Sequence, residues 1–463
     1  MKLRGPIALA ILCVTPVGLW AVALPLDTRF TDASTTLSSL AVCLALMGTS
    51  AFALNLLLGA HPSVIDQFFG GLDKMFRVHQ INGRVAFLLL LGHAVLMVAS
   101  RAIDSISAAL QLLTPAQGWT VFFGVLALGS MSVVIGLTLY VRLNHEVFVY
   151  VQRAFGFVFV IAALHVFQTP GTKAFSPALT YYLAALSTIG LAAFAYRSLF
   201  DNVLVKRHDY RVTDVLPLDQ EVMEIVMTPQ HKRIKHKPGQ FLFVTFYSDA
   251  MSKELHPFSI ESEGPSAVIT LRPGEIHEQF HPFSITSTPE DESLKIVFKE
   301  VGDYTHAMRS LEEGTWARVE GPYGAFSYLN LRNERQIWIA GGIGITPFLS
   351  MARSLDGSKY EIDFYYSMRS LRNAYLLAEF LRIGARVSSF KVIPYPEDEF
   401  GFLTADVIEN QSPDFATSDI MICGPPPMID AMRSQFYAKG ISKKRVHYEK
   451  FGFAPKRRSK TKR

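Results

Sequence analysis

At 463 residues the chain is too long for one ordinary domain. Its 45 Lys and Arg stand against 40 Asp and Glu, a net charge of only +5. No long basic stripe interleaves with aromatics, which speaks against a nucleic-acid partner. The three cysteines, Cys13, Cys43 and Cys423, imply no disulfide framework.

The mean hydropathy of +0.23 averages two unlike halves. Six apolar stretches near 6–26, 36–60, 84–101, 119–141, 147–168 and 177–200 are long enough to cross a bilayer, for which about 20 apolar residues suffice. Lys2, Arg4, Lys74, Arg77, Arg84, Arg142, Arg197, Lys206 and Arg207 fall at one set of ends, and only Arg29, Arg101 and Lys173 at the other. That bias predicts a multi-pass protein of the cell membrane with both termini cytoplasmic. The run Ala21, Val22, Ala23 also reads as a signal-peptidase site, the alternative that would leave five spans.

Histidine is rare inside a span and marks a function there. His79 and His93 lie 14 residues apart at the third span. On a helix they share one face to within about 40° and stand roughly 21 Å apart along the axis. His165 lies late in the fifth span. Neutral imidazole is a normal axial ligand of haem iron, so His79, His93 and His165 are the candidate metal ligands, and one or two haems the expected cofactor.

The soluble half turns β-rich from about residue 207, with HPFSI at 256–260 and again at 281–285. Further on, RQIWIAGGIGITPFLSM and DIMICGPPPMIDAM each read as strand, glycine- or proline-rich turn, helix. Such a turn brings backbone close to a pyrophosphate and offers it a helix N-terminus.

The two turns together resemble the nicotinamide-binding lobe of the ferredoxin–NADP reductase superfamily. With the histidine-bearing spans before them, the whole chain resembles the ferric reductase-like transmembrane family, which includes the NADPH oxidases and the yeast and bacterial ferric reductases. The resemblance implies a six-helix transmembrane haem bundle over 1–203, an antiparallel FAD-binding β-barrel over 204–330 and an α/β NAD(P)-binding domain over 331–453. A basic tail over 454–463 follows. In that family two histidines of the third span pair with two of the fifth. This chain has Gln152 where the inner partner of His79 is expected. Three readings follow: ligation by His79 alone or nearly so, substitution by His145, or no inner haem.

For the flavin, the resemblance implies His281, Pro282, Phe283 and Ser284, continuing into Thr286 and Ser287. Lys299, Gly302 and Thr305 stand at the spacing expected around its pyrophosphate. Only the second HPFSI has that continuation, so it is the expected flavin strand. The resemblance puts Gly341, Gly342, Gly344, Thr346 and Pro347 on one wall of the nicotinamide site, and Cys423, Gly424 and Pro425 on the other. Ser284 and Cys423 are the residues expected nearest the chemistry. Ser367 and Arg369 sit where the ribose is read, and an arginine suits the 2′-phosphate of NADPH better than NADH. A solvated loop arginine is the alternative. Phe453 is the expected aromatic cover of the flavin ring.

The expected function is transfer of electrons from cytoplasmic NAD(P)H through FAD and haem to a small-molecule acceptor outside, a ferric chelate or dioxygen. The alternatives are an electron-transfer subunit feeding a protein partner, and a flavin reductase tethered by a degenerate haem domain.

Overall fold

The computed structural model describes residues 4–23, 25–112, 114, 118–141, 145–169, 176–219, 221–248, 258–263, 266–271, 280–357, 359–374 and 376–450. The chain divides into two compact units, Lys2–Val205 and Lys206–Arg463.

Six helices of the first unit are long and apolar enough to cross a membrane. They are α1 (Arg4–Ala23), α2 (Ala33–Gly59), α3 (Leu72–Asp104), α4 (Trp119–Tyr140), α5 (His145–Gln168) and α6 (Pro177–Phe194). Entry points are set locally. Asp32 accepts from the Thr35 backbone N–H while the Thr35 hydroxyl answers the Asp32 N–H, a reciprocal capping box that starts α2. Ser176 caps α6, whose first residue is Pro177. α3 begins a full three turns before the apolar run at 84–101, so His79 lies inside the helix rather than at its start. Close approach depends on small residues, as expected where lipid offers no hydrophobic drive between helices. A Cβ on Gly190 of α6 would meet the Ala53 carbonyl oxygen of α2 at 2.7 Å. Phe52 of α2 packs edge-on against Phe155 and Phe159 of α5.

In the second unit, strands β1 (Arg207–Pro217), β2 (Val222–Pro229), β3 (Phe241–Tyr247), β6 (His281–Ser284), β7 (Leu294–Lys299) and β8 (Trp316–Tyr323) form one antiparallel sheet in the order β6-β3-β8-β1-β2-β7. A bridge between Ile285 and Ile296 joins its two edges and closes it into a barrel. Tyr210, Val212, Ile225, Leu242, Val244, Phe246, Ile296 and Val319 fill the interior. Among the described residues, strands β4 (Phe258–Glu263) and β5 (Ser266–Leu271) pair only with each other, as a separate two-stranded sheet.

The α/β lobe is a parallel sheet of β9 (Arg335–Gly341), β10 (Glu361–Met368), β11 (Phe390–Pro396), β12 (Asp419–Cys423) and β13 (Val446–Glu449), in the order β11-β10-β9-β12-β13. Helices α7 (Thr346–Arg353), α8 (Leu377–Arg386) and α9 (Pro426–Ala438) follow β9, β10 and β12. Both faces are covered, so the strands are apolar on both sides. Trp338, Phe348, Phe364, Phe380 and Phe390 pack on one face, and Ile337, Ile339, Tyr365, Ile422 and Phe436 on the other. Strand order reverses between β9 and β12, and such a reversal opens a ligand crevice at the strands' carboxyl ends.

Candidate functional site

Both glycine turns lie at that reversal. A Cβ on Gly344 would meet the Cys423 carbonyl oxygen at 2.5 Å and Gly424 Cα at 2.6 Å, and one on Gly341 would meet Met428 Sδ and Pro425 Cδ. The turn after β9 therefore nests backbone against backbone into the turn after β12. Gly342 differs: its φ is +53°, and nothing lies within 4 Å of where its Cβ would be. A left-handed residue facing open space leaves room for a phosphate beside the N-terminus of α7, where Thr346 and Pro347 form the first turn.

Cys423 is fully buried at the end of β12. Burial, reinforced by the neighbouring Glu449 carboxylate, pushes its thiol well above the ordinary range. The thiol is therefore held neutral and is a poor nucleophile. Glu449, buried and in register with Cys423 on β13, is a residue that sequence reasoning missed. No motif surrounds it, and only the sheet brings it to the site.

In the barrel, β6 carries the second HPFSI, with Phe283 and Ser284 buried opposite Leu242 and Phe241. His281 stacks on Tyr304 with ring centroids 3.6 Å apart. The buried Thr286 hydroxyl finds no hydrogen-bond partner among the described residues. The carbonyls of Thr286 and Ser287 accept from Arg353 Nη1 at 2.8 Å and Ser350 Oγ at 2.7 Å, which ties this segment to α7 of the α/β lobe. Lys299 pairs with Glu221 at 2.8 Å on a partly exposed edge. Such a pair is worth about 0–1 kcal/mol, little enough for the ammonium to exchange its partner for a phosphate. Thr305 is otherwise engaged: its hydroxyl accepts from the Val301 and Gly302 N–H groups at 2.9 and 3.1 Å and caps a short helix. In the first HPFSI, Phe258, Ser259 and Ile260 belong to β4, outside the barrel. Its His256 and Pro257, like Phe453, lie outside the described residues.

In the membrane unit, His93 of α3 and His165 of α5 face each other with ring centroids 6.4 Å apart. His93 Nδ1 lies 3.0 Å from the Ala41 carbonyl oxygen, and His165 Nδ1 lies 2.7 Å from that of Thr120. A carbonyl only accepts, so each Nδ1 carries the proton and each Nε2 keeps its lone pair, the form that binds a metal. A Cβ on Gly124 would meet the His165 ring at 2.9 Å, so a glycine makes the seat for that ring on α4. His79 repeats the arrangement, with Nδ1 3.1 Å from the Asn55 carbonyl oxygen of α2. Fourteen residues separate the two histidines on α3, and fourteen separate their two carbonyl partners on α2. Gln152 of α5 turns to α4, where its amide donates to Thr138 Oγ1 at 3.2 Å.

Comparison with known proteins gives three family matches in chain order. Residues 44–163 match the ferric reductase like transmembrane component. Residues 207–272 and 264–327 match an FAD-binding domain in two overlapping pieces, one through each HPFSI. Residues 338–434 match the oxidoreductase NAD-binding domain. The reductase component of propane 2-monooxygenase from Rhodococcus jostii is 27% identical over 57% of this chain and 69% of its own length. NADH-cytochrome b5 reductase 1 from Pyricularia oryzae is 30% identical over 31% of this chain and 51% of its own. The chain thus spans about half to two thirds of these relatives. A solved flavohemoglobin from Malassezia yamatoensis overlays at TM-score 0.46 and 19% identity, covering 90% of this chain and 97% of that one. Six membrane-length helices, matched in part by the ferric reductase like transmembrane component, thus precede matched FAD- and NAD-binding domains, which makes the chain an NAD(P)H-dependent oxidoreductase similar to the ferric reductases.

Proposed function

We propose that this protein is a membrane flavocytochrome that draws electrons from cytoplasmic NAD(P)H and delivers them to a small-molecule acceptor across the membrane. The observation that carries this reading is the His93–His165 pair. Its 6.4 Å centroid separation suits one iron about 2 Å from each Nε2. Among the described residues no group of three or more His, Cys, Asp or Glu could hold a metal ion. Two imidazoles alone hold a bare ion poorly, whereas a porphyrin would supply the remaining ligands, which supports haem b over a bare metal ion. Bound here, FAD would let a two-electron hydride donor give up single electrons, and haem would supply one-electron carriage between the paired histidines.

The chain's own residues do the positioning. Gly342 and the first turn of α7 receive the pyrophosphate. Cys423 closes the nicotinamide wall without taking a charge. Ser284 offers a hydroxyl to the edge of the flavin ring, and Lys299 a cation to its phosphates. Ala41 and Thr120 hold the imidazoles in the ligating tautomer. The engagement of Gln152 with Thr138 supports a weakly ligated or absent inner haem at His79. The excess of lysine and arginine at one set of span ends supports a cytoplasmic dehydrogenase.

The test is haem content and direction. The purified full chain should show one or two b-type haems per FAD in its reduced-minus-oxidised spectrum. NAD(P)H supplied on the cytoplasmic face should reduce a membrane-impermeant ferric chelate, or dioxygen, on the other. A preparation with FAD but no haem would make it a tethered flavin reductase instead.

A second expectation separates the two HPFSI copies. Ser284→Ala should weaken flavin retention or reduction by about fivefold, the worth of one hydrogen bond. Ser259→Ala should leave both near wild type, because β4 lies outside the barrel. Equal effects in flavin-to-protein ratio would show that both strands serve the site.

A further inference from the structure

Arg369 alone predicts NADPH, but the structure surrounds it with two acids. Ser367 near the end of β10 stands in register with Gly341 of β9 and Tyr395 of β11. The residues just beyond β10 and β11 therefore emerge beside the start of the glycine turn. The buried Ser367 hydroxyl donates to Glu397 Oε1 at 2.6 Å. The Asp398 N–H donates to the Arg369 carbonyl at 3.0 Å and ties the two segments together. Arg369, Glu397, Asp398, Gly401 and Phe402 line a cavity of about 250 Å³, and the Phe402 ring is 82% exposed.

We propose that this cavity seats the adenosine end of the dinucleotide and that Glu397 makes the protein selective for NADH. The inference rests on the dehydrogenase reading above and names its donor. A carboxylate has about four acceptor sites, so Glu397 keeps capacity for a ribose hydroxyl while Ser367 fixes its rotamer. A 2′-phosphate carries about −1.5 to −2 charge at neutral pH. Here it meets two carboxylates against one guanidinium. The exposed Phe402 ring offers an adenine a flat apolar face, and Arg369 remains available to stack or to contact the diphosphate. Glu397 is invisible to a reading of the β10 turn because it arrives from the next strand.

The test compares NADH and NADPH in steady-state ferricyanide reduction by the full chain in detergent. Wild type should favour NADH in kcat/KM by about tenfold or more. Glu397→Gln should shrink that ratio by about fivefold, mostly through KM, with FAD content unchanged. Independently of turnover, ADP-ribose should inhibit the wild type more tightly than its 2′-phosphorylated form. A wild-type preference for NADPH, tighter inhibition by the 2′-phosphorylated form, or an unchanged ratio in the variant overturns the proposal. Failure of both dinucleotides to reduce an FAD-loaded protein would strike the dehydrogenase reading instead.

Discussion

A chain carrying His93→Ala or His165→Ala is expected to lose the proposed haem and, with it, the proposed electron delivery across the membrane, by roughly a hundredfold or more, because an axial ligand would hold that relay in place. NAD(P)H-driven reduction of ferricyanide should stay within about twofold of wild type, since the hydride chemistry belongs to the flavin and the dinucleotide. The two readouts come from one preparation: a haem spectrum with impermeant-acceptor reduction, and a dye assay. Full haem content in both variants would remove the pair from the ligand set. The tautomer argument sharpens the expectation. The Ala41 and Thr120 carbonyls orient the imidazoles before any iron arrives, so His→Gln, which cannot reproduce a ring with one donor and one acceptor, should fare no better than His→Ala.

The second large effect is expected at Gly344. Its absent side chain is what lets the turn after β9 lie against the Cys423 carbonyl oxygen, 2.5 Å from where a Cβ would stand. The obstructing atoms are backbone, so no rotamer change relieves Gly344→Ala. Overpacking of this kind costs about 1–3 kcal/mol, and the strain falls on the two turns that would grip the dinucleotide. The kcat/KM for dinucleotide oxidation should fall by roughly tenfold to a hundredfold, at about tenfold per 1.4 kcal/mol. Flavin and haem content should be preserved. Gly440→Ala, at a φ of +81° with nothing within 4 Å of its Cβ position, is the contrast: backbone strain without overpacking. If the two variants lose activity equally, the nesting of the turns is not the cause.

The features legible in the sequence share a local origin. A span is visible because twenty apolar residues in a row have no other soluble explanation. The glycine turns are visible because strand, turn and helix follow one another without a break. Glu397 and Glu449 were not legible. Glu449 lies on β13 and Glu397 directly after β11, each remote in sequence from the residue it neighbours, Cys423 and Ser367, and parallel pairing of the strands juxtaposes them. Nor were Ala41 and Thr120, which act through backbone carbonyls that any residue possesses. The engagement of Gln152 with Thr138 is similar: the departure from the family pattern was plain, but its new partner lies on another helix. Thr305 shows a second role that spacing does not reveal: its hydroxyl closes its own short helix.

The separate β4–β5 sheet bears on the history of this gene. It lies wholly within the connection between β3 and β6, which runs from residue 248 to residue 280. Without the extra copy, the same connection would span only 248–255 before reaching an HPFSI. That is about two doublings of loop length, and closing the longer loop costs only about 0.6 kcal/mol for each. Because the five residues at 256–260 and 281–285 are identical, excising one 25-residue unit would leave the barrel's strand sequence unchanged at the junction. At about 1.2 kcal/mol in all, a tandem repeat of this sort is a load that a folded domain can carry. It can be inherited as a passenger, leaving one copy bound to the architecture and the other free to diverge.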